Sequence, residues 1–292
     1  MSEVMERKPT VTRDREPHGA ARETPRSPLV TSLANLVEAS WRPALLLLGL
    51  LAVWALVAWQ EWVRPYLVPA PWDVADSLLV SDRAMLLTHT WVTLYETVIG
   101  FVLATVIGLV CALGIVYSRT IERTLYPLLL FAQVIPKVAI APLFVIWMGF
   151  GPGPKILVAV LVAFFPVVIS GVAGLRSVPP ELLHLSASMG ASRWQTFRKI
   201  RFPTALPHLF SGLKVAITLA VVGAVVGEFV GANEGLGYLL LVANGNLNST
   251  LLFAVLIAMS LMGILLFVLV ELAERLAIPW HASRREDTVA TA

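Results

Sequence analysis

Apolar residues along this chain gather into long blocks, separated by short polar or proline-rich intervals. Three blocks, Thr97–Tyr117, Ile156–Leu175 and Leu251–Val270, contain no Asp, Glu, Lys or Arg. An uncharged run of roughly 18 or more residues spans the ~30 Å hydrocarbon core as a helix, so each is long enough to cross a bilayer. The whole pattern places six crossings: Pro43–Val63, about Trp91–Tyr117, about Leu125–Met148, Ile156–Leu175, about Leu206–Gly227 and Leu251–Val270. It predicts an all-α membrane protein of about six transmembrane helices. The first crossing ends in "WALVAWQEWVRPYLVPAPW", which suits a membrane–water interface where aromatic side chains collect. Pro127, Pro136 and Pro142 interrupt the third, and Lys137 and Lys214 fall inside the third and fifth.

The polar segments set the boundaries. Residues 1–29 lack any apolar run, and no hydrophobic stretch of a secretory signal precedes Leu45. The expected organisation is a disordered cytoplasmic tail and lead-in over 1–42, a transmembrane domain over 43–278, and a cytoplasmic tail over 279–292. Composition agrees: the chain is 57% hydrophobic and 14% charged, against about 25% charged in soluble domains, with a mean hydropathy of +0.78. A net charge of +3 points to no nucleic-acid partner. Cys111 is the single cysteine and lies in an apolar run, and the five histidines show no metal-ligand spacing, so no metal site is expected.

The distribution of charge fixes an expected orientation. One set of loops holds Arg119, Arg123, Arg176, Arg193, Arg198, Lys199 and Arg201, and the terminal segments on that side add Arg42, Arg275, Arg284 and Arg285. The opposite loops hold Arg64, Arg83 and Lys155. By the positive-inside rule both termini are cytoplasmic, and so is the loop between the fourth and fifth crossings.

That loop, "RSVPPELLHLSASMGASRWQTFRKIRFPTALP" (Arg176–Pro207), has its own internal pattern. Pro179 and Pro180 end the fourth crossing, and Glu181 starts a short helix where a carboxylate complements the helix N-terminus. Gly190 permits a turn. A second short helix, about Ser192–Arg201, places Trp194, Phe197 and Ile200 on adjoining turns, with Arg193, Arg198 and Lys199 around them. Pro203 and Pro207 are expected to reset the chain before the fifth crossing. Composition alone fits either an amphipathic helix on anionic headgroups or a docking element whose apolar side chains enter a groove on a partner.

The spacing from Gly190 through nine residues to "IRFP" (Ile200–Pro203) resembles the cytoplasmic "EAA" loop, with its Gly-x9-Ile-x-Leu-Pro core. That loop marks permease subunits of binding-protein-dependent ATP-binding-cassette (ABC) importers. The likeness covers roughly residues 45–280. The Glu-Ala-Ala triplet falls on His184, Leu185 and Ser186, so its acid is absent, and Phe202 stands where leucine is usual. "QVIPKVAIAPLFVIWMGFGPGPKILVA" (Gln133–Ala159) and "GEFVGANEGLGYLLLVANG" (Gly227–Gly245) are similar to permeases of the nitrate/sulfonate/taurine group. The resemblance implies the fold of a type I importer permease in the bacterial inner membrane. It also implies separate ATPase subunits that bind ATP and Mg, a second permease copy forming a homodimer, an extracytoplasmic solute-binding protein, and surrounding lipid. The coupling residues it implies are Glu181, His184, Gly190, Arg193, Trp194, Phe197, Ile200 and Pro203. No Gly-x4-Gly-Lys-Ser/Thr loop occurs here, so the chain is expected to be non-catalytic and to hold no cofactor of its own.

Ionisable side chains within a membrane suggest function by default. Lys137 lies fourteen residues beyond Arg123, about 21 Å along a straight helix at 1.5 Å per residue. With Gln133 and Glu228 it is a candidate for the pathway of a small organic anion; the other reading of Lys137 is an ion pair with a carboxylate from another crossing. Glu228 is a gate residue, a partner for Lys137 or an interfacial carboxylate, and Glu96 is read at the outer interface. Lys214 is expected to snorkel, and "GFGPGPK" (Gly149–Lys155) is read as a tight outer turn. A stand-alone secondary transporter or channel is the competing function, but such transporters typically show repeated halves with matching broken segments. A membrane-embedded enzyme needs clustered catalytic side chains, which the sequence does not show.

Overall fold

In a computed structural model the described residues are 28–64 and 66–279, and they form helices and turns with no strand. Both predicted tails fall largely outside them, including Arg284 and Arg285. The chain divides into two compact units. Residues up to Val53 form one, and its described part is most of helix α1 (Pro28–Trp59), which starts well before the predicted Pro43. The second unit begins at Trp54 and contains α2 (Pro71–Asp76), α3 (Arg83–Tyr117), α4 (Arg119–Val134), α5 (Lys137–Met148), α6 (Pro152–Arg176), α7 (Pro180–Ser188), α8 (Arg193–Thr196), α9 (Phe202–Gly231), α10 (Leu236–Gly245) and α11 (Ser249–Ala277).

Among the described residues, four helices are long and apolar enough to cross a membrane: Arg83–Tyr117, Pro152–Arg176, Arg193–Gly231 and Ser249–Ala277. They contain the second, fourth, fifth and sixth predicted crossings. The third is a broken pair, α4 and α5, bent by 97°. The first corresponds to a shorter apolar stretch, Ala44–Trp59. Of the three prolines in the third crossing, Pro127 and Pro142 lie inside helices, and the break falls at Pro136. Its physical cause is Ile135, held extended at ψ 129° because a residue preceding proline is sterically disfavoured in the helical region.

The fifth crossing departs from expectation. Pro203 and Pro207 do not reset the chain; one 39-residue helix runs from Arg193 to Gly231. Proline in a helix lacks its N–H and crowds the carbonyl four residues back. Here a π turn over Phe197–Arg201, closed by the Phe202 N–H on the Phe197 carbonyl, precedes Pro203 and widens the helix where that crowding would fall.

Helices α3, α6 and α9 form the heart of the second unit through small residues, which let backbones approach closely in a bilayer. Ala159 of α6 is fully buried between Gly100 of α3 and Gly223 of α9. A Cβ on Gly223 would stand 2.7 Å from the Ala159 Cα. Gly223→Ala is therefore expected to destabilise by about 1–3 kcal/mol through overpacking. Gly263→Ala, with nothing within 4 Å, should be neutral or slightly stabilising. Thermal unfolding of the two variants in detergent checks the contrast.

Candidate functional site

At one end of α3, α6 and the 39-residue helix, α7 and α8 form an elbow. α7 closes with a Schellman motif: the Gly190 N–H donates to the Ala187 carbonyl and the Ala191 N–H to the Ser186 carbonyl, both at 3.0 Å. Gly190 takes φ +73°, which glycine adopts without a Cβ clash. Two residues later Ser192 opens α8 with a capping box. Its hydroxyl accepts from the Gln195 N–H at 3.2 Å, and the Gln195 side chain accepts from the Ser192 N–H at 2.8 Å. The Ser186 and Thr196 hydroxyls meet across the elbow at 3.3 Å. The sequence "SMGASRWQ" thus specifies a fixed angle.

The elbow separates two kinds of apolar side chain. Phe197 turns toward the spans, edge-on to Tyr117 at 6.2 Å and tilted against Phe202 at 5.9 Å. Its cluster includes buried Leu175, Ala205 and Leu209. Trp194 stacks on Phe197 at 5.6 Å, yet 65% of its surface is open, and Leu182, Leu185 and Met189 are exposed too. With Leu113, Tyr117 and Arg193, the two rings line an open apolar slot of about 350 Å³. Glu181 and His184 lie exposed on α7, while Ile200 and Pro203 are half-buried in the π turn and the start of α9. Arg201 stands over the Tyr117 ring at 5.6 Å, and Arg176 pairs with Glu122 at 2.7 Å.

Lys137 sits at the break of the third crossing as the first residue of α5. Its ammonium donates to the Gln133 carbonyl at 3.2 Å and lies 4.5 Å from the centre of the Phe165 ring. Among the described residues no carboxylate lies at ion-pairing distance. The 97° bend removes the straight-helix basis for its expected depth. The pairing of Lys137 with Glu228 is not found; Glu228 has other partners.

Those partners form a buried polar cluster at the end of the spans opposite the elbow. Lys155 is not in an outer turn. Pro152 begins α6, so Lys155 belongs to its first turn and ion-pairs with Glu96 of α3 at 2.8 Å, the two side chains 7% and 0% exposed. Glu96 is thus a buried partner, not an interfacial carboxylate. Glu228, 1% exposed, accepts from the Thr93 hydroxyl at 2.7 Å and from the Gly237 N–H. The Leu236 N–H donates to Thr93 Oγ1 at 2.8 Å, and the Gly235 N–H to His89 Nδ1 at 2.9 Å. These three N–H groups open α10 and have no partner within that helix; the cluster satisfies all of them. Gly235, at φ +111°, leaves no space for a Cβ against the Glu228 carboxylate. "EGLGYLL" is therefore a helix start fitted to Glu228.

Sequence reasoning missed Lys155, Thr93 and His89. A signal for Lys155 was present, because proline at the first helical position marks a helix start, and "PGPK" was taken for a loop. Lys214, expected to snorkel, instead pairs with Glu274 of α11 at 2.9 Å.

Residues 104–279 match the family described as binding-protein-dependent transport system inner membrane component. The chain is 36% identical to the formylaminopyrimidine transport permease protein ThiX of Halalkalibacterium halodurans, over 82% of this chain and 95% of that one. It is 29% identical to the taurine transport system permease protein TauC of Escherichia coli, over 80% and 86%. Its fold is similar to a chain of the MetNI methionine ABC transporter in an inward-facing crystal form. The TM-score is 0.60 at 23% identity, covering 66% of this chain and 96% of that one.

Proposed function

The chain belongs to the binding-protein-dependent transport system inner membrane component family, whose members are non-catalytic membrane subunits of ABC transporters, and from that premise we propose that it forms the translocation pathway of an ATP-driven importer for a small solute. The observation that carries this reading is the elbow: a side-chain-locked angle presenting Leu182, Leu185, Met189 and Trp194 beyond the ends of the spans. Such an element transmits movement because it is stiff and seated on two crossings at once, and coupling needs parts with discrete arrangements. ATP and Mg are held by a separate ATPase that receives residues 181–203. A second copy of this chain completes the pathway, and a solute-binding protein supplies the solute from outside. The protein lies in the bacterial inner membrane with both termini and the elbow on the cytoplasmic side, as the Arg and Lys distribution favours.

The experiment is copurification followed by uptake. A tagged chain should bring down an ATPase, and uptake into cells should stop on ATP depletion while surviving collapse of the proton gradient. The reverse pattern would establish a secondary transporter instead.

Two solute classes have support. A small organic anion fits Lys137 at the helix break, and TauC is named for a sulfonate-bearing solute. A nitrogen heterocycle fits the higher identity to ThiX, named for formylaminopyrimidine, and the Phe165 ring under Lys137. If the anion is the solute, Lys137→Met should abolish uptake with assembly and basal ATPase activity intact. For a neutral heterocycle, uptake by the same variant should fall severalfold at most.

A further inference from the structure

The turn that joins α9 to α10 hangs on a titratable acceptor. Residues 232–235 belong to no helix. Together with Gly231, Ala232, Asn233 and Glu234 form one wall of a cavity of about 260 Å³ at the end of the spans opposite the elbow, across from Tyr95, Phe150 and Lys155. This wall is tied to α3 by the Gly235 N–H, which donates to His89 Nδ1 at 2.9 Å. The His89 ring is half-buried and lies 6.1 Å from the Tyr238 ring of α10. The next two N–H groups of α10 end elsewhere, on Thr93 and Glu228.

Nδ1 accepts a hydrogen bond only in the neutral imidazole that carries its hydrogen on Nε2. The imidazolium donates from both nitrogens. A proton on Nδ1 therefore sets donor against donor and leaves the Gly235 N–H, on a buried residue, without an acceptor. It also places positive charge at the positive end of α10. Of the charged groups on the elements around the ring, most are engaged or distant. Glu228 of α9 accepts from Thr93 and Gly237, and Glu96 is paired with Lys155 of α6. Asp76 and Asp82 accept from Ser81 and Ser77, and Arg83 is exposed. α11 carries no charge before Glu271, and Arg119, Glu122 and Arg123 of α4 follow the other end of α3. Glu234 is exposed beside Gly235, and its charge acts on the His89 ring.

We propose that His89 is a pH-sensitive latch on this wall of the cavity. Neutral, it holds the 232–235 turn against α3; protonated, it drops the Gly235 N–H and turns to Glu234, and the wall is freed. Histidine is the side chain whose ordinary titration falls between about pH 5 and 8, so the latch is closed at alkaline pH and released as pH falls. The inference stands apart from the transport reading, because it concerns the turn alone and not what is carried.

Hydrogen exchange resolved to single amides tests the latch, on the full chain in lipid nanodiscs. It is read at about pH 8 and about pH 4.5, on either side of the ordinary histidine range, with exchange times scaled to the intrinsic rate at each pH. Protection of the Gly235 amide should fall roughly tenfold at the lower pH, the size of one lost buried hydrogen bond. The Leu236 and Gly237 amides should keep theirs. His89→Asn places an amide oxygen about where Nδ1 stands and does not titrate, so Gly235 should stay protected at both pH values. In His89→Ala it should be unprotected at both. Equal protection of native Gly235 at the two pH values overturns the proposal. A pH-dependent loss that persists in His89→Asn overturns it too, since a carboxylate such as Glu234 would then be the group that titrates. So does simultaneous loss at Leu236 and Gly237, because α10 would then be melting as a whole.

Discussion

Glu96→Ala is expected to lower stability by about 3–5 kcal/mol, the range found when one member of a buried ion pair is removed. Both side chains are nearly solvent-free, so Lys155 would be left as a buried ammonium 2.8 Å from where its counter-charge had been. The loss should appear as a markedly lower unfolding temperature in detergent, with less protein reaching the membrane. A double replacement, Glu96→Leu with Lys155→Met, should recover much of it, because apolar residues of similar volume often replace a buried pair at little cost. The double-mutant cycle isolates the pair's own contribution. Single variants as stable as the parent would mean that solvent reaches the pair and screens it.

Trp194→Ala should abolish ATP-dependent uptake while leaving membrane insertion and unfolding temperature close to native. The ring is mostly open and stacks on one face only, so its removal costs the fold little. An exposed tryptophan is, however, the kind of residue that carries binding energy once a partner covers it. A loss of about 2 kcal/mol there weakens association roughly thirtyfold, enough for the ATPase to be lost during copurification. Phe197→Ala should behave differently. Phe197 seats the elbow against Tyr117, Phe202 and the Leu175 cluster, so this variant should lose stability along with coupling. If Trp194→Ala kept its ATPase but lost tightly bound anionic lipid, the slot beside Tyr117 would be a lipid site and the elbow's partner would lie elsewhere on α7.

Four of the six crossings match long apolar helices, and the third matches a bent pair, because hydrophobic length is a local property. Runs without charge sit in hydrocarbon as helices; the second and fourth crossings ended within a residue of their helices, whereas the sixth stopped seven residues short of Ala277. The elbow was legible for a related reason. Schellman glycine, capping serine and the glutamine three residues on are short-range signals, each satisfied by neighbours in the chain. The prolines were misjudged at Pro203 and Pro207, because a π turn that absorbs a proline leaves no mark on hydrophobic patterning.

The buried cluster had no comparable local signature. Glu96 and Glu228 each read alone as an interfacial charge at the end of a crossing, and Lys155 as part of a turn. What makes them a unit is the close approach of α3, α6 and α9 through Gly100, Ala159 and Gly223. That approach brings residues 59 positions apart into an ion pair and sets the Glu228 carboxylate against the first N–H groups of α10. By itself the sequence determined which stretches are apolar enough to span a membrane, which side the bases favour, and the turn at Gly190. Only the tertiary structure decided which charges pay their desolvation cost in company, because that depends on helix-to-helix distances set by small residues far apart in the chain.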